Sequence, residues 1–505
     1  MPARRPPYLR ITSIASWPLY PILIAFIWVM ATLMDSGIRL QSAVRPLVVV
    51  PLLAVLVLFV SIAVVRGRHR AGALAGVVVV LLISRDLSRL ALGVVGAAAI
   101  ALAIVLVQRM RRRPLRSERL TIAANATSTI LLLVIVAQGL VNGTVLAWGA
   151  DLTARPPVVA PVDGDPPDIY LILLDGYPRA DIVREALGGD NARFLDELGT
   201  RGFTVDPDAH SGYMYTDLAV SSMLHGQHLD NISGLDDVID GTQLPARGRQ
   251  VLNEAPLLDV FSRHGYTLIA NAQAWDEPSV WRVHHLIEGS GLNEVERYLL
   301  LHSLPGVAWQ SLEPSLPQDV MRPWVEDAFS FIPEAAALEV PGPKFVFAHV
   351  PSPHFPIVFT RDGGTADPDF AYDHPDQVPP SAQAGTREAY LEQVAYLNDR
   401  LLDLLDIGAI PPDAIVLIMS DHGPEFGLDW DDGEASDLTT RFASLFAARA
   451  PGGTFERGQA VTGVLVRLLN AVLDESLDEP DDRFFVSASS PKYATLTEVP
   501  NPWED

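Results

Sequence analysis

The sequence predicts a membrane-borne α/β protein: an N-terminal bundle of about five transmembrane helices, followed by a doubly wound, mostly parallel sheet. Three observations predict it. Charge is divided, because residues 1–150 hold 16 Arg, no Lys and three acids, whereas the rest of the 505-residue chain carries a net charge of −37. Long apolar stretches fill the first third. Farther on, apolar runs of strand length alternate with helical patterns. The overall charge of −24 conceals this division. A single soluble globule is excluded, and an apolar content of 49% excludes a disordered chain. The acidic remainder would repel phosphate backbones, so no nucleic-acid partner is expected. Cys is absent, which rules out disulfides and thiolate metal sites.

Five spans are expected, near residues 14–34, 44–65, 71–84, 89–107 and 125–148. Crossing a bilayer takes about 20 apolar residues. The 71–84 stretch is short, so charge decides the count. Three clusters favour the cytoplasm: Arg4, Arg5 and Arg10; Arg66, Arg68 and Arg70; and Arg109, Arg111, Arg112, Arg113, Arg116 and Arg119. They share that side only if 71–107 crosses twice. The protein is then integral to the cell membrane, with its N-terminus cytoplasmic and everything after Trp148 outside. The first span has no small-residue cleavage site and is not read as a signal peptide. Glycosylation-type triplets at Asn125, Asn142 and Asn231 are read as chance.

Residues 151–167 contain five Pro and read as an extended linker. The large domain is expected over 168–485 and a C-terminal tail over 486–505. Asp168–Leu174, Lys344–Val350 and Ala414–Ser420 suit parallel strands buried on both faces. Helical patterns cover Ala180–Leu187 and Asn191–Leu198. Arg387–Leu405 is an amphipathic helix with Tyr390, Val394, Leu397, Leu401, Leu402 and Leu405 on one side. Residues 230–340 carry few patterns and are expected to shape a substrate pocket. The acidic stretch Asp474–Asp482 reads as solvated surface.

Ligands of open α/β sheets bind beyond the carboxyl ends of strands. Asp175, His354 and the pair Asp421-His422 stand at such ends. Two carboxylates and an imidazole converging there are a plausible divalent-cation site, and oxygen and nitrogen donors favour Mn, Mg or Zn. Singly, each residue has a blander reading. Asp175 suits a turn or a helix cap. Asp421-His422-Gly423 suits turn chemistry, and Pro353-His354-Phe355-Pro356 a rigid loop. Their joint occurrence at three strand ends favours a site.

On these residues the sequence resembles the alkaline phosphatase/sulfatase superfamily, in particular its membrane-anchored branch of lipoteichoic acid synthases and phosphoethanolamine transferases. The resemblance covers most of 165–500. It rests on LILLDGYPR, SGYMYTDLAVSSMLHG, FVFAHVPSPHFP, IMSDHGPE, RFASLFAARAPG and VTGVLVRLLNAVL. It implies an alkaline-phosphatase-like domain with a nucleophile opening a helix, at Thr216, and Gly226 ten residues later. Sulfatases carry Cys-x-Pro-Ser-Arg at this place. Here the Cys position is Thr216 and the Arg position is Val220, so a Cys-derived formylglycine is excluded. A Thr nucleophile is what the phospho-transferring branches use. The resemblance further implies one divalent metal ion (Mn, Mg or Zn) held by Asp175, Thr216, Asp421 and His422, with His354 contacting substrate. Two-metal members need a further His downstream, and none follows His422. Ser211 and Tyr213 are the nearby alternatives to Thr216, whose bland reading is a helix cap. His349 reads as structural. The expected protein is a membrane-anchored, metal-dependent extracytoplasmic phosphotransferase or phosphodiesterase acting on a phosphate ester of a lipid or envelope glycan. The alternatives are a sulfuric ester hydrolase and a non-catalytic envelope protein on a sulfatase-like fold.

Overall fold

The computed structural model describes residues 16–36, 38–83, 118–141, 144–145, 148–149, 154–161, 164, 166–232, 244–272, 278–370, 377–379, 381–452, 454–488 and 496–504. The chain divides into two compact units, Met1–Leu152 with Glu294–Glu313, and Thr153–Asn293 with Pro314–Asp505.

The first unit is helical. Helices α1 (Tyr20–Ser36), α2 (Leu40–Val64), α3 (Arg68–Ile83) and α4 (Glu118–Val141) pack on one another. Among the described residues α2 and α4 are long and apolar enough to cross a membrane, and α1 is apolar but shorter. That makes two clear candidates where five spans are expected. The expected span at 89–107 lies outside the described residues. The last one begins earlier than expected, at Glu118, an acid that suits the positive end of the helix dipole. Leu52, Leu56 and Phe59 of α2 and Ile130 and Leu133 of α4 are exposed, a surface that suits lipid better than water. The Asn125 triplet has a structural role: its Oδ1 accepts hydrogen bonds from the backbone N–H groups of Leu19 and Tyr20 where α1 begins. Two short helices, Glu294–Leu301 and Leu304–Leu312 (α10 and α11 in chain order), complete this unit. The sequence reading assigns those residues to the large domain.

The second unit is built on a seven-stranded sheet. Its strands are β1 (Ile169–Leu174), β2 (Thr204–Val205), β3 (Thr267–Asn271), β4 (His285–Ile287), β5 (Lys344–Val350), β6 (Ile415–Ser420) and β7 (Phe446–Arg449). Their order is β2-β7-β6-β1-β5-β3-β4. β1 pairs in parallel with β5 and β6, β5 with β3, and β3 with β4. β7 runs antiparallel to both of its neighbours. The helices are α5 (Ala180–Glu185), α6 (Ala192–Thr200), α7 (Thr216–His225), α8 (Leu244–Asn253), α9 (Pro256–Arg263), α12 (Leu316–Ala337), α13 (Gln383–Asp406), α14 (Leu438–Phe442) and α15 (Val464–Leu473).

Side chains alternate across β1, so the sheet has two buried faces. Ile169, Leu171 and Leu173 face a core shared with α7, α9 and α15. Tyr170, Ile172 and Leu174 face another shared with α6, α12 and α13. Burying each such side chain contributes about 1.5–3 kcal/mol. A continuous apolar strand is thus the signature of a doubly covered sheet.

Residues 230–340 are not mainly a pocket wall. β3 and β4 extend the sheet, and α12 packs beneath it. Pro323 and Pro333 lie inside α12, and proline removes a helical hydrogen bond, which hides this helix from a reading of the sequence. Burial of Trp324, Phe329 and Ile332 holds it in place. The C-terminal residues expected to form a tail fold back. β8 (Phe484–Val486) pairs with β9 (Thr497–Val499), Phe485 stacks on Tyr213, and the Trp503 ring lies 5.0 Å from the Arg179 guanidinium.

Candidate active site

Strand register sets the floor of the site. Leu174 pairs with Val350 on one side and with Ser420 on the other, so three strands end at one level. The next residue after β1 is Asp175 and after β6 is Asp421, both fully buried. The Gly176 backbone N–H donates to Asp421 Oδ1 at 3.0 Å, which locks the two turns together. α13 supports the β1 turn from behind, through Tyr390 OH donating to Gly176 O and Tyr177 OH donating to Asn398 Oδ1.

Thr216 enters at the first residue of α7, after Tyr215 in extended conformation. The body of α7 is buried, and it ends at Gly226 in the left-handed region (φ 65°). A Cβ there would stand 2.6 Å from Val466 Cγ2. Pinned at its far end, α7 points its first turn at the strand ends. Thr216 Oγ1 lies 3.4 Å from Asp175 Oδ1 and 3.1 Å from His422 Nε2. The alternatives to Thr216 turn elsewhere. Ser211 Oγ is buried in a turn with Tyr213, and Tyr213 OH accepts from Leu229 N in the core.

His422 Nδ1 donates to the Gly423 carbonyl at 2.9 Å. This assigns the proton to Nδ1 and leaves the Nε2 lone pair facing Thr216 Oγ1, Asp421 Oδ2 at 3.1 Å and the Arg441 Nη2 donor at 3.2 Å. Burial, then the neighbouring Arg441 charge, hold His422 well below its ordinary pKa, so it is neutral. Burial raises Asp421 to about 6, and the Asp175 charge adds to the effect. Burial also opposes ionisation of Asp175, but the His354 charge and the neighbouring His349 ring outweigh it and keep its carboxyl below the usual range.

Asp175, Asp421 and His422 bring one ligand atom each within 4.8 Å of one another. Asp175 Oδ2 and Asp421 Oδ2 are buried and accept no hydrogen bond among the described residues. Two buried carboxylates with spare lone pairs, beside a neutral imidazole, fit a divalent cation and suit Mn, Mg or Zn. Thr216 Oγ1 is placed to be a fourth donor.

His354 stands beside this group, not in it. Its backbone N–H donates to Asp175 O, while Nε2 meets Glu425 Oε1 at 2.6 Å and Nδ1 meets Phe355 O at 2.6 Å. Burial favours the neutral ring, but the Glu425 and Asp175 carboxylates prevail and raise its pKa to about 10. His354 is therefore an imidazolium.

Three residues near the group escaped the sequence reading or were read otherwise. His349, read as structural, projects from β5 with Nε2 3.4 Å from Asp175 Oδ2. Glu425 follows His422 by three residues and could have been singled out as the acid of the same loop. Arg441, on α14, is fully buried. Its guanidinium donates to Met214 O, two residues before Thr216, and to Gly423 O, next to His422. Its Nη2 also stands 3.2 Å from His422 Nε2. No sequence signal separates Arg441 from an ordinary surface arginine, because its partners lie on loops apart from it in the chain.

The family model described as Sulfatase matches residues 167–440. No curated protein matches the chain. Among solved structures, the C-terminal periplasmic domain of EptC from Escherichia coli is 12% identical, with 70% of this chain and 95% of that chain covered at a TM-score of 0.40. Phosphonate monoester hydrolase of Agrobacterium radiobacter is 14% identical, with 63% and 79% covered at a TM-score of 0.40. The soluble domain of lipooligosaccharide phosphoethanolamine transferase A from Neisseria meningitidis is 12% identical, with 63% and 92% covered at a TM-score of 0.36.

Proposed function

The chain belongs to the sulfatase family, and we propose that it is a metal-dependent phosphotransferase or phosphodiesterase working through Thr216. The observation that carries this reading is the Thr216 hydroxyl at the first turn of α7, 3.4 Å from Asp175 Oδ1 and 3.1 Å from His422 Nε2. One divalent ion (Mn, Mg or Zn) held by Asp175, Thr216, Asp421 and His422 supplies the charge that makes a high-pKa hydroxyl a nucleophile at neutral pH. The positive end of the α7 dipole favours negative charge at the same point and on an incoming phosphate.

Thr216 Oγ1 attacks phosphorus. The new O–P bond forms as the bond to the leaving alcohol oxygen breaks, giving a phosphothreonine. Water or an acceptor hydroxyl then takes the phosphoryl group and restores Thr216. His354, kept charged by Glu425, binds a phosphate oxygen or gives its proton to the leaving alkoxide. Position 216 holds Thr, neither Cys nor Ser, so the formylglycine route to sulfuric esters has no starting residue there. The catalytic domain is the second unit, including its C-terminal strand pair, anchored by five spans and facing the outside, as the three Arg clusters favour. A lipid or envelope glycan bearing a phosphate ester is the substrate within reach of such an anchor.

The test uses the purified full-length chain supplied with Mn, Mg or Zn. It should hydrolyse a chromogenic aryl phosphodiester, and Thr216→Ala should lose on the order of 10³-fold or more of that activity while remaining folded. Mass spectrometry of quenched reactions should find the Thr216 peptide carrying the phosphoryl group together with the ester substituent that did not leave. Undiminished diester turnover in Thr216→Ala overturns the assignment. Faster turnover of an aryl sulfate would make it a sulfatase, and failure to take up any of the three ions would favour a non-catalytic role.

A further inference from the structure

The two short helices α10 and α11 carry an unusual distribution of surface. Along α11 the exposed residues are Pro305, Ala308, Trp309, Ser311 and Leu312; all but Ser311, which lies to one side, follow one another at steps of three, one and three and so share one helical face. That face is entirely apolar. Trp309 is 53% exposed and Leu312 86%. No charged residue occurs between Leu304 and Leu312. A surface helix normally turns its apolar stripe inward; this one turns it outward.

The packing of α10 fixes the level at which this face sits in the helical unit. Val295 and Leu299 are buried in one cluster with Met34, Ile38, Ala43 and Trp148. Arg45 of α2 pairs with Glu296. All of these contacts fall at one end of α2. The opposite end of the bundle carries Arg68, whose guanidinium lies 5.7 Å from the Trp17 ring. α2 has 25 residues. At about 1.5 Å per residue it spans about 37 Å, against a hydrocarbon core of about 30 Å. Only about two or three residues at each end therefore lie beyond the hydrocarbon. Ala43 stands at that boundary and Arg45 two residues inside it, close enough for its long side chain to reach the interface where it meets Glu296 of α10. α11 follows directly and touches α3 of the same bundle.

We propose that α10 and α11 form an interfacial element of the membrane unit, with the Pro305–Leu312 face of α11 seated in the headgroup and upper acyl region of the lipid bilayer, at the bundle end away from the Arg66–Arg70 cluster. This rests on the membrane reading of α2. The occupant is lipid, because the helices of the same unit already expose apolar surface of this kind at Leu52, Leu56 and Phe59 of α2 and at Ile130 and Leu133 of α4, and because Trp is favoured at headgroup depth. The chain thus enters the membrane unit twice, once through α1 to α4 and again between β4 and α12.

The chain contains no Cys, so a single introduced Cys gives a unique label. The full-length protein carrying Leu312→Cys or Trp309→Cys is labelled with an environment-sensitive fluorophore and reconstituted into phosphatidylcholine/phosphatidylglycerol vesicles. Nitroxide lipids spin-labelled near the head of the acyl chain should remove most of the emission of both labels. Lipids labelled near the chain end should remove less. Leu52→Cys in mid-α2 serves as the membrane control and Arg184→Cys, on an exposed surface of the second unit, as the aqueous one. If the Leu52 label is quenched by the deep nitroxide while both α11 labels behave like Arg184, the interfacial proposal is overturned and the membrane reading stands. If the Leu52 label also behaves like Arg184, both are overturned.

Discussion

At the scale of single residues, the site separates groups by what burial does to their charge. His422 is forced neutral and presents a lone pair, whereas His354, a few ångströms away from the same carboxylates, is forced to keep its proton. The difference is the partner: Gly423 O and Arg441 for one, Glu425 for the other. Distinct consequences follow for distinct substitutions. Asp421→Asn removes one ligand and should weaken ion binding at least about 100-fold, as read by calorimetry. His354→Gln should leave ion binding unchanged and lower kcat by about 10²–10⁴-fold. Glu425→Gln should lower activity by about 10–100-fold, because His354 loses the carboxylate that keeps it charged. A Glu425→Gln enzyme indistinguishable from the parent would show that His354 needs no such partner.

At the scale of elements, the site depends on three loops being held in register by groups that take no part in chemistry. Gly423 lies under α14 so closely that a Cβ would stand 2.1 Å from Thr440 O. Gly423→Ala should therefore push the Asp421-His422 turn outward and abolish ion binding, even where the domain remains folded by circular dichroism. Arg441 joins the loop before Thr216 to the loop of His422, through Met214 O and Gly423 O. Arg441→Leu strands two buried carbonyls and should cost about 2–5 kcal/mol in denaturant unfolding. Gly226→Ala introduces a side chain at a left-handed position against Val466, costing about 1–3 kcal/mol and disturbing the far anchor of α7.

At the scale of the whole molecule, stability should answer to ion and to pH. A cation that binds only the folded second unit raises its stability by about 2.7 kcal/mol at 100 times Kd, so chelation should lower its melting temperature and the loss should vanish in Asp421→Asn. His225 and His228 lie away from the site, and burial holds both below the ordinary value of 6.5. The unfolded chain then binds protons that the folded chain refuses. Stability is present above pH 6.5 and should fall as pH drops through it. His228→Gln should flatten that fall, measured as urea midpoints between neutral and mildly acidic pH. The division of charge along the chain bears on the proposed chemistry: the large domain is strongly acidic, and a cation held by Asp175, Asp421 and His422 would dominate its surroundings and admit an anionic ester.

The sequence by itself determined what rests on local pattern. Continuous apolar runs mark β1, β5 and β6, because strands covered on both faces have no polar side to show. The residues that end them include Asp175 and Asp421, whereas the helix opening at Thr216 comes from the family resemblance, since no local cap marks it: Tyr215 precedes the helix without a side-chain cap. Arg clusters and apolar length mark the helical third. Tertiary structure alone decided the rest. Short edge strands such as β2 and β4 exist only by pairing, and α12 survives its prolines only through what it buries. Arg441 on α14 and His349 on β5 reach groups far from them in the chain, Met214 O and Asp175. Residues 294–313 join the helical unit although their neighbours in sequence build the sheet. Each of these depends on contacts between residues distant in sequence, and the free energy of such contacts is set by packing that no window of residues contains.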